Sequence, residues 1–244
     1  LYFKFLNSGF CRFKFINFKL KFKFGLILLR NEIDKVFLFN AILNKFGINK
    51  ISLKKDILSI INKNLSKTNN YNHLLRIALN KKIISISLRK RIPPKLNFNL
   101  RLVNLKREKP QYKNLKYKKI LSYLSKMDNS TSDIALIKNK KVLETGTSNL
   151  LFIKDKKIFT PIRDYYEGNT YKFFKKKIKK IIKKDISIKD LNNFDEILLI
   201  GSGKGVASVK TIKQIKWKRK SLKQYKLFSK YYMSVIKTCN QYKF

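Results

Sequence analysis

Acidic residues are scarce in this chain. Fourteen Asp and Glu stand against 58 Lys and Arg over 244 positions, for a formal charge of +44. Histidine and tryptophan occur once each, cysteine twice, proline four times and glycine eight times. Each shortage excludes something. Cys11 and Cys239 lie near opposite ends, with neither the spacing of a zinc site nor the density of a disulfide framework, so a reducing, cytoplasmic setting is expected. The lone His73 has no second histidine with which to share a metal, and a structural role and no metal are expected. Ser-His-Asp catalysis would have to pass through His73, and no G-x-S-x-G turn presents a serine. No apolar run approaches the roughly 18 residues needed to cross a bilayer, and no membrane partner is expected. The opening LYFKFLNSGFCRFKFINFKLKFKF alternates Phe with Lys, which reads as strand rather than as a signal peptide. Because the chain starts at Leu1 and not at Met, residues are expected ahead of it.

What is present is a 44% hydrophobic share, enough for a core. The charge at first points to nucleic acid, since clustered lysines neutralise phosphates and release counterions. These lysines are instead spread along the whole chain among Ile, Asn and Phe, the signature of AT-rich codons. Solvated lysine faces are therefore expected, and nucleic acid is not the expected partner. The rival reading, a basic nucleic-acid-binding protein, requires an unbroken cationic face with aromatics available for stacking.

Periodicity divides the chain into a small N-terminal α/β lobe over 1–105 and a second lobe over 106–244. In the first, FGLILL and IISISL read as strands, while DKVFLFNAILNKF and LKKDILSIINKNL carry apolar residues at helical spacing. Arg91 to Asn114 holds three of the four prolines and reads as a connector. Beyond it, LKYKKILSYLSKM reads as a helix, and DIALIK, KVLET, NLLFIKD and KIFTP as short strands. TYKFFKKKIKKIIKKD places Phe174, Ile178, Ile181 and Ile182 on one face of an amphipathic helix. FDEILLIGSGKGVASVKTI reads as strand, glycine-rich turn, strand. The whole fits a two-lobed α/β or α+β enzyme.

Gly201, Gly203 and Gly205 follow a strand but fail both nucleotide motifs: Lys204 is followed by glycine, not Ser or Thr, and Val206 stands where the dinucleotide fingerprint needs glycine. The turn can still cradle one phosphate through its backbone N–H groups and the Ser202 hydroxyl. EGNTYKFF offers a second anion site, where Asn169 and Thr170 open the lysine-rich helix. Glu144, in LETGTSNLLFI, reads by position alone as a solvated turn residue.

The segment Lys113–Val209 resembles the class IV, or fold type IV, pyridoxal-phosphate enzymes, a family that includes aminodeoxychorismate lyase, branched-chain aminotransferase and D-amino acid transaminase. Four pieces carry the resemblance in order: KNLKY, ETGTSNLLFI with FTP downstream, EGNTYKFF, and FDEILLIGSGKGVASV. The resemblance implies that Lys113 forms the Schiff base with pyridoxal 5'-phosphate and is the catalytic amine. It places Tyr117 near the cofactor's phenolic oxygen, although a tyrosine so close to a helix equally reads as packing. Glu144, of the E-x-x-x-x-N stretch it shares with Asn149, would pair with the pyridine nitrogen and keep it protonated, so that the ring withdraws electrons. Asn169, Thr170 and Ser202 would bind the phosphate.

The K-x-L context and the 22 positions from Lys113 to Ala135 are most like the lyases. The activity implied is therefore 4-aminobenzoate and pyruvate formation in folate biosynthesis, with a branched-chain or D-amino acid aminotransferase as the alternative. A small-molecule amino substrate and a homodimer are implied as partners. The first lobe departs from the pattern: Lys35 and Leu38 stand where relatives carry the His and the phosphate-binding Arg of H-L-x-R-L, and its start is degenerate.

Overall fold

Short runs of Ile, Leu, Val and Phe between polar turns favour strands. A computed structural model describes the chain over residues 84–112, 116–178 and 180–238, together with 24–28, 73–79 and Ser59. Two compact units result, 1–91 with 242–244, and 92–241. In the first, β1 (Phe24–Leu28), β2 (His73–Leu79) and β3 (Ile84–Lys90) form an antiparallel sheet in that order. The strand pattern before Phe24, the helical patterns over 34–46 and 53–65 apart from Ser59, and Lys35, Leu38, Cys11 and Cys239 lie outside the described residues.

The second unit is built on one mixed sheet. Its strands are β4 (Phe98–Asn104), β5 (Ser132–Lys138), β6 (Lys141–Thr145), β7 (Asn149–Lys154), β8 (Lys157–Thr160), β9 (Ile181–Lys183), β10 (Glu196–Gly201) and β11 (Gly205–Ile212), in the order β6-β5-β4-β11-β10-β7-β8-β9. A short β12 (Trp217–Lys218) pairs with β11. Helix α1 (Lys118–Leu124) lies between β4 and β5 in the chain, α2 (Asn169–Lys177) between β8 and β9, and α3 (Lys223–Thr238) after β12. β4 pairs in parallel with both β5 and β11. The sequence reading drew a connector over 91–114 and a lobe boundary at 105; the compact units divide between Arg91 and Ile92. The alternation of Phe98, Leu100 and Leu102 with polar neighbours makes 98–104 a ladder strand despite the nearby prolines.

β5 turns into β6 through Asn139–Lys140, and β7 into β8 through Asp155–Lys156. All four turn residues have positive φ, as in the type I′ turns whose twist suits a hairpin. β10 is buried along its whole length and β7 up to Ile153, as expected of strands covered on both faces. Phe98, Phe152, Phe194, Leu199 and Trp217 fill the core beneath them, and the Trp217 indole donates to the Phe194 carbonyl at 3.1 Å.

The lysine-rich run after Gly168 departs from the expected long helix. α2 stops at Ile178, whose backbone is extended at φ −101°, ψ 124°. Ile181 and Ile182 then pair in parallel with Ile158 and Phe159 as β9. β-Branched isoleucines lose rotamer freedom in a helix, whereas the open edge of β8 offers backbone partners.

Glu196, almost fully buried at the start of β10, anchors α3. Its two carboxylate oxygens accept the backbone N–H groups of Gln224 at 2.8 Å and Tyr225 at 2.9 Å, a carboxylate cap supplied from a strand. Glu196→Ala is expected to lower stability by about 2 kcal/mol and Glu196→Gln by less, since the amide keeps one acceptor. Urea unfolding of the full chain followed by circular dichroism measures both.

Candidate active site

An acid-poor chain that buries carboxylates has to hold each of them with donors. Among the described residues Asp133, Glu144 and Glu196 are the buried acids. Glu196 serves α3. The other two flank the tight turn 145–148 between β6 and β7.

Glu144 lies next to last in β6 and is 3% exposed, not a solvated turn residue. The Arg107 Nε donates to its Oε1 at 2.7 Å, and the Arg107 Nη2 donates to the Gly146 carbonyl at 3.2 Å. Among the described residues, Oε2 meets only a long 3.4 Å contact from the Tyr166 backbone N–H. That oxygen keeps capacity for a further donor. Burial raises the Glu144 pKa above the usual carboxylate range, against the opposing pull of the Arg107 cation and its hydrogen bond.

The segment that touches Glu144 continues to a second site. Asn149 donates through Nδ2 to the Tyr166 carbonyl at 2.6 Å and accepts the Gly168 N–H on Oδ1 at 3.0 Å. Both polar ends of Asn149 are therefore committed to shaping 166–168. Gly168 is the N-cap of α2, and no side chain caps that helix. Its first residue, Asn169, is exposed, while Thr170 is buried. The Thr170 Oγ1 lies 3.4 Å from the Ser202 Oγ in the β10–β11 turn. That is longer than a well-formed O–H···O bond, which leaves both hydroxyls able to donate to an anion at the positive end of α2.

The β10–β11 turn is clamped from two sides. A Cβ on Gly201 would stand 2.9 Å from the Ser148 Oγ and 3.2 Å from the Thr147 carbonyl oxygen, so a larger residue there would push against the 145–148 turn. Gly205 has φ +71°, and a Cβ there would meet the Tyr232 ring of α3 at 2.5 Å. Within the turn, the Lys204 Nζ is buried against Asp133 Oδ2 at 3.0 Å and Thr147 Oγ1 at 2.6 Å.

Glu144, Asn149, Thr170 and Ser202 are thus linked by one run of contacts, and Asn169 stands exposed at the start of α2. Lys113 lies outside the described residues. Tyr117 occupies the N-cap position of α1 and packs half-buried against the cluster of Val103, Ile120 and Leu124. It also lines, with Arg107, a surface cleft of about 390 Å³. No group of three His, Cys, Asp or Glu among the described residues could hold a metal, and no described helix is long and apolar enough to span a membrane.

Arg107 escaped the sequence reading because nothing in its spacing relates it to Glu144. The available signal was rarity: nine arginines stand among 58 basic residues, and a forked donor is hard to replace by lysine. Arg219 makes the same point, donating to Ser208 and Asn97.

Arg107→Met leaves Glu144 buried without its cation, a loss of about 3 kcal/mol or more, and removes the interaction that opposes burial, so the folded-state pKa rises further. Between the ordinary glutamate value of about 4.3 and that raised value the folded chain binds a proton that the unfolded chain has released. Stability is therefore greatest below this window and falls as pH rises through it. Thermal scans should find the melting-temperature deficit of Arg107→Met larger at neutral pH than in acid, and Arg107→Met/Glu144→Gln should lose that dependence.

A family model for amino-transferase class IV matches residues 35–212. No curated protein matches the chain. Among solved structures, a Legionella pneumophila protein assigned as a 4-amino-4-deoxychorismate lyase is similar at 14% identity and TM-score 0.65, covering 86% of this chain and 90% of that one. An aminotransferase from Brucella abortus, bound to the cofactor PLP, is similar at 16% identity and TM-score 0.63, over 86% and 88% of the two chains. The branched-chain amino acid aminotransferase from Escherichia coli is similar at 16% identity and TM-score 0.62, over 77% and 71%. The fold is that of the fold type IV pyridoxal-phosphate enzymes, mixed α/β with a curled sheet. That family typically uses pyridoxal phosphate and acts on small amino substrates. With the matched segment spanning most of its length, the chain belongs to the class IV aminotransferase family.

Proposed function

We propose that the protein is a pyridoxal-phosphate lyase of the aminodeoxychorismate lyase type, which releases pyruvate from an amino-bearing cyclic substrate and leaves 4-aminobenzoate for folate synthesis. The observation that carries the cofactor reading is the continuous link from the Glu144 carboxylate through 166–168 to the start of α2 and Ser202. One end offers a buried, cation-paired carboxylate with an under-used oxygen, the other two hydroxyls beside an uncapped helix start. A flat heterocycle with a ring N–H at one side and a phosphate at the other fits that pairing of donors and acceptors.

When bound, the cofactor supplies an electron-withdrawing ring that stabilises the negative charge left on the substrate's amino-bearing carbon. Glu144 would accept the hydrogen bond from the ring nitrogen, and Arg107 opposes the protonation that burial of that carboxyl favours. Asn149 holds 166–168 in place. Thr170, Ser202 and the N–H groups at Asn169 and Thr170 would bind the phosphate, and Tyr117 would donate to the phenolic oxygen. Lys113 would be the amine that anchors the cofactor, and its amino group would move the proton at the substrate's reacting carbon. The preference for a lyase over an aminotransferase rests on the K-x-L context of Lys113 and the short interval to Ala135. The protein acts as a cytoplasmic homodimer in this reading.

Purified protein mixed with pyridoxal phosphate should absorb in the visible and release pyruvate from aminodeoxychorismate. Lys113→Ala should lose the band and slow release by about a thousandfold. Persistence of the band in that variant, or its absence in the wild type, rejects the assignment. Glu144→Gln should keep the cofactor but slow release by about a hundredfold or more. Amino-group transfer to a keto acid without pyruvate formation would move the protein to the aminotransferases.

A further inference from the structure

The geometry points to Lys204 as a positioning residue that fixes the distance between the carboxylate end and the phosphate end of the site; the inference rests on the cofactor reading above. Lys204 sits in the turn Ser202–Gly205, two residues from the Ser202 hydroxyl. Its side chain is only 8% exposed. The ammonium donates to Asp133 Oδ2 at 3.0 Å and to Thr147 Oγ1 at 2.6 Å, and lies 5.2 Å from the centre of the Phe98 ring.

Asp133, fully buried at the start of β5, gathers this end of the unit. Its Oδ1 accepts the Ile134 N–H at 2.8 Å, and its Oδ2 accepts the hydroxyls of Thr145 at 2.9 Å and Thr147 at 2.7 Å besides the ammonium. Thr145 and Thr147 belong to the turn that leads from Glu144 to Asn149. One buried cation therefore joins the turn that follows Glu144 to the turn bearing Ser202. Gly201 packed on Ser148 closes the same gap one residue before Ser202.

Two consequences follow from charge. The ammonium is matched by the Asp133 carboxylate, so it adds little net positive field at Ser202 and does not replace the arginine absent from the first lobe. Its contribution is geometric. A buried pair is held to one arrangement by low dielectric and by the loss incurred when either partner is left alone. A turn fixed in this way presents its hydroxyl and N–H groups without rearrangement when a phosphate arrives. Tyr232, stacked on Gly205, holds the far end of the turn.

The test compares pyridoxal 5'-phosphate with pyridoxal, the same aldehyde without the phosphate, by visible absorbance titration and borohydride trapping on the full chain. Wild type should bind the phosphorylated aldehyde far more tightly. Because Lys204→Met alone strands the Asp133 carboxylate, the main variant is Asp133→Asn/Lys204→Met, which removes the pair together. It is expected to melt close to wild type, to bind pyridoxal unchanged and to lose about tenfold in affinity for the phosphorylated form. Thr147→Val, at a more exposed position, should shift the same ratio by a few-fold. Equal losses for both aldehydes, tracking the melting temperature, would make the pair a mere scaffold and overturn the proposal. So would a double variant that keeps the full preference. A wild type that binds the two aldehydes alike overturns the cofactor reading itself, and this inference with it.

Discussion

The ion pair between Arg107 and Glu144 is the interaction from which the rest of the site is arranged. A carboxylate withdrawn from water needs a cation or several donors, or it takes up a proton. Arg107 meets that need for Glu144 with its Nε, and its Nη2 secures the Gly146 carbonyl in the adjoining turn. The guanidinium thus fixes the acid and the start of the turn together, a task suited to a planar fork with several donors. The free capacity of the second oxygen and the placement of the Tyr166 N–H both follow from it.

From Glu144 the order passes along backbone and short side chains rather than through long cations. Asn149 binds the Tyr166 carbonyl and the Gly168 N–H, which sets where α2 begins. Thr170 then faces Ser202 of the β10–β11 turn. Such short polar groups lose little rotamer entropy when ordered, so they define positions more sharply than the surface lysines can. Most of the lysines on α2 are exposed and shape the surrounding potential more than they shape the site.

The short apolar runs and polar breaks of residues 133–161 made the individual strands legible, because each run is bounded by its own turn residues. The β10–turn–β11 unit was legible for the same reason. The helix expected over 170–185 was overtaken by the sheet: Ile181 and Ile182 suit a helical face by spacing, yet the neighbouring edge of β8 decides between two periods that so short a run cannot distinguish. β4 was hidden by the prolines around it. Its ladder with β5 and β11 joins residues distant in the chain, and no local pattern reports such a partner.

Of the candidate site, the sequence by itself determined the types of group available: a carboxylate in an acid-poor chain, a glycine-rich turn with one serine, and a helix opening on Asn and Thr. Those are local properties, written in consecutive residues. Only folding buries Glu144 and pairs it with Arg107, sets Asn149 against the loop 166–168, and closes Lys204 on Asp133 from 71 residues away. The reason is physical: desolvation and ion pairing depend on what surrounds an atom in space, and the sheet brings those surroundings from strands that are strangers in sequence.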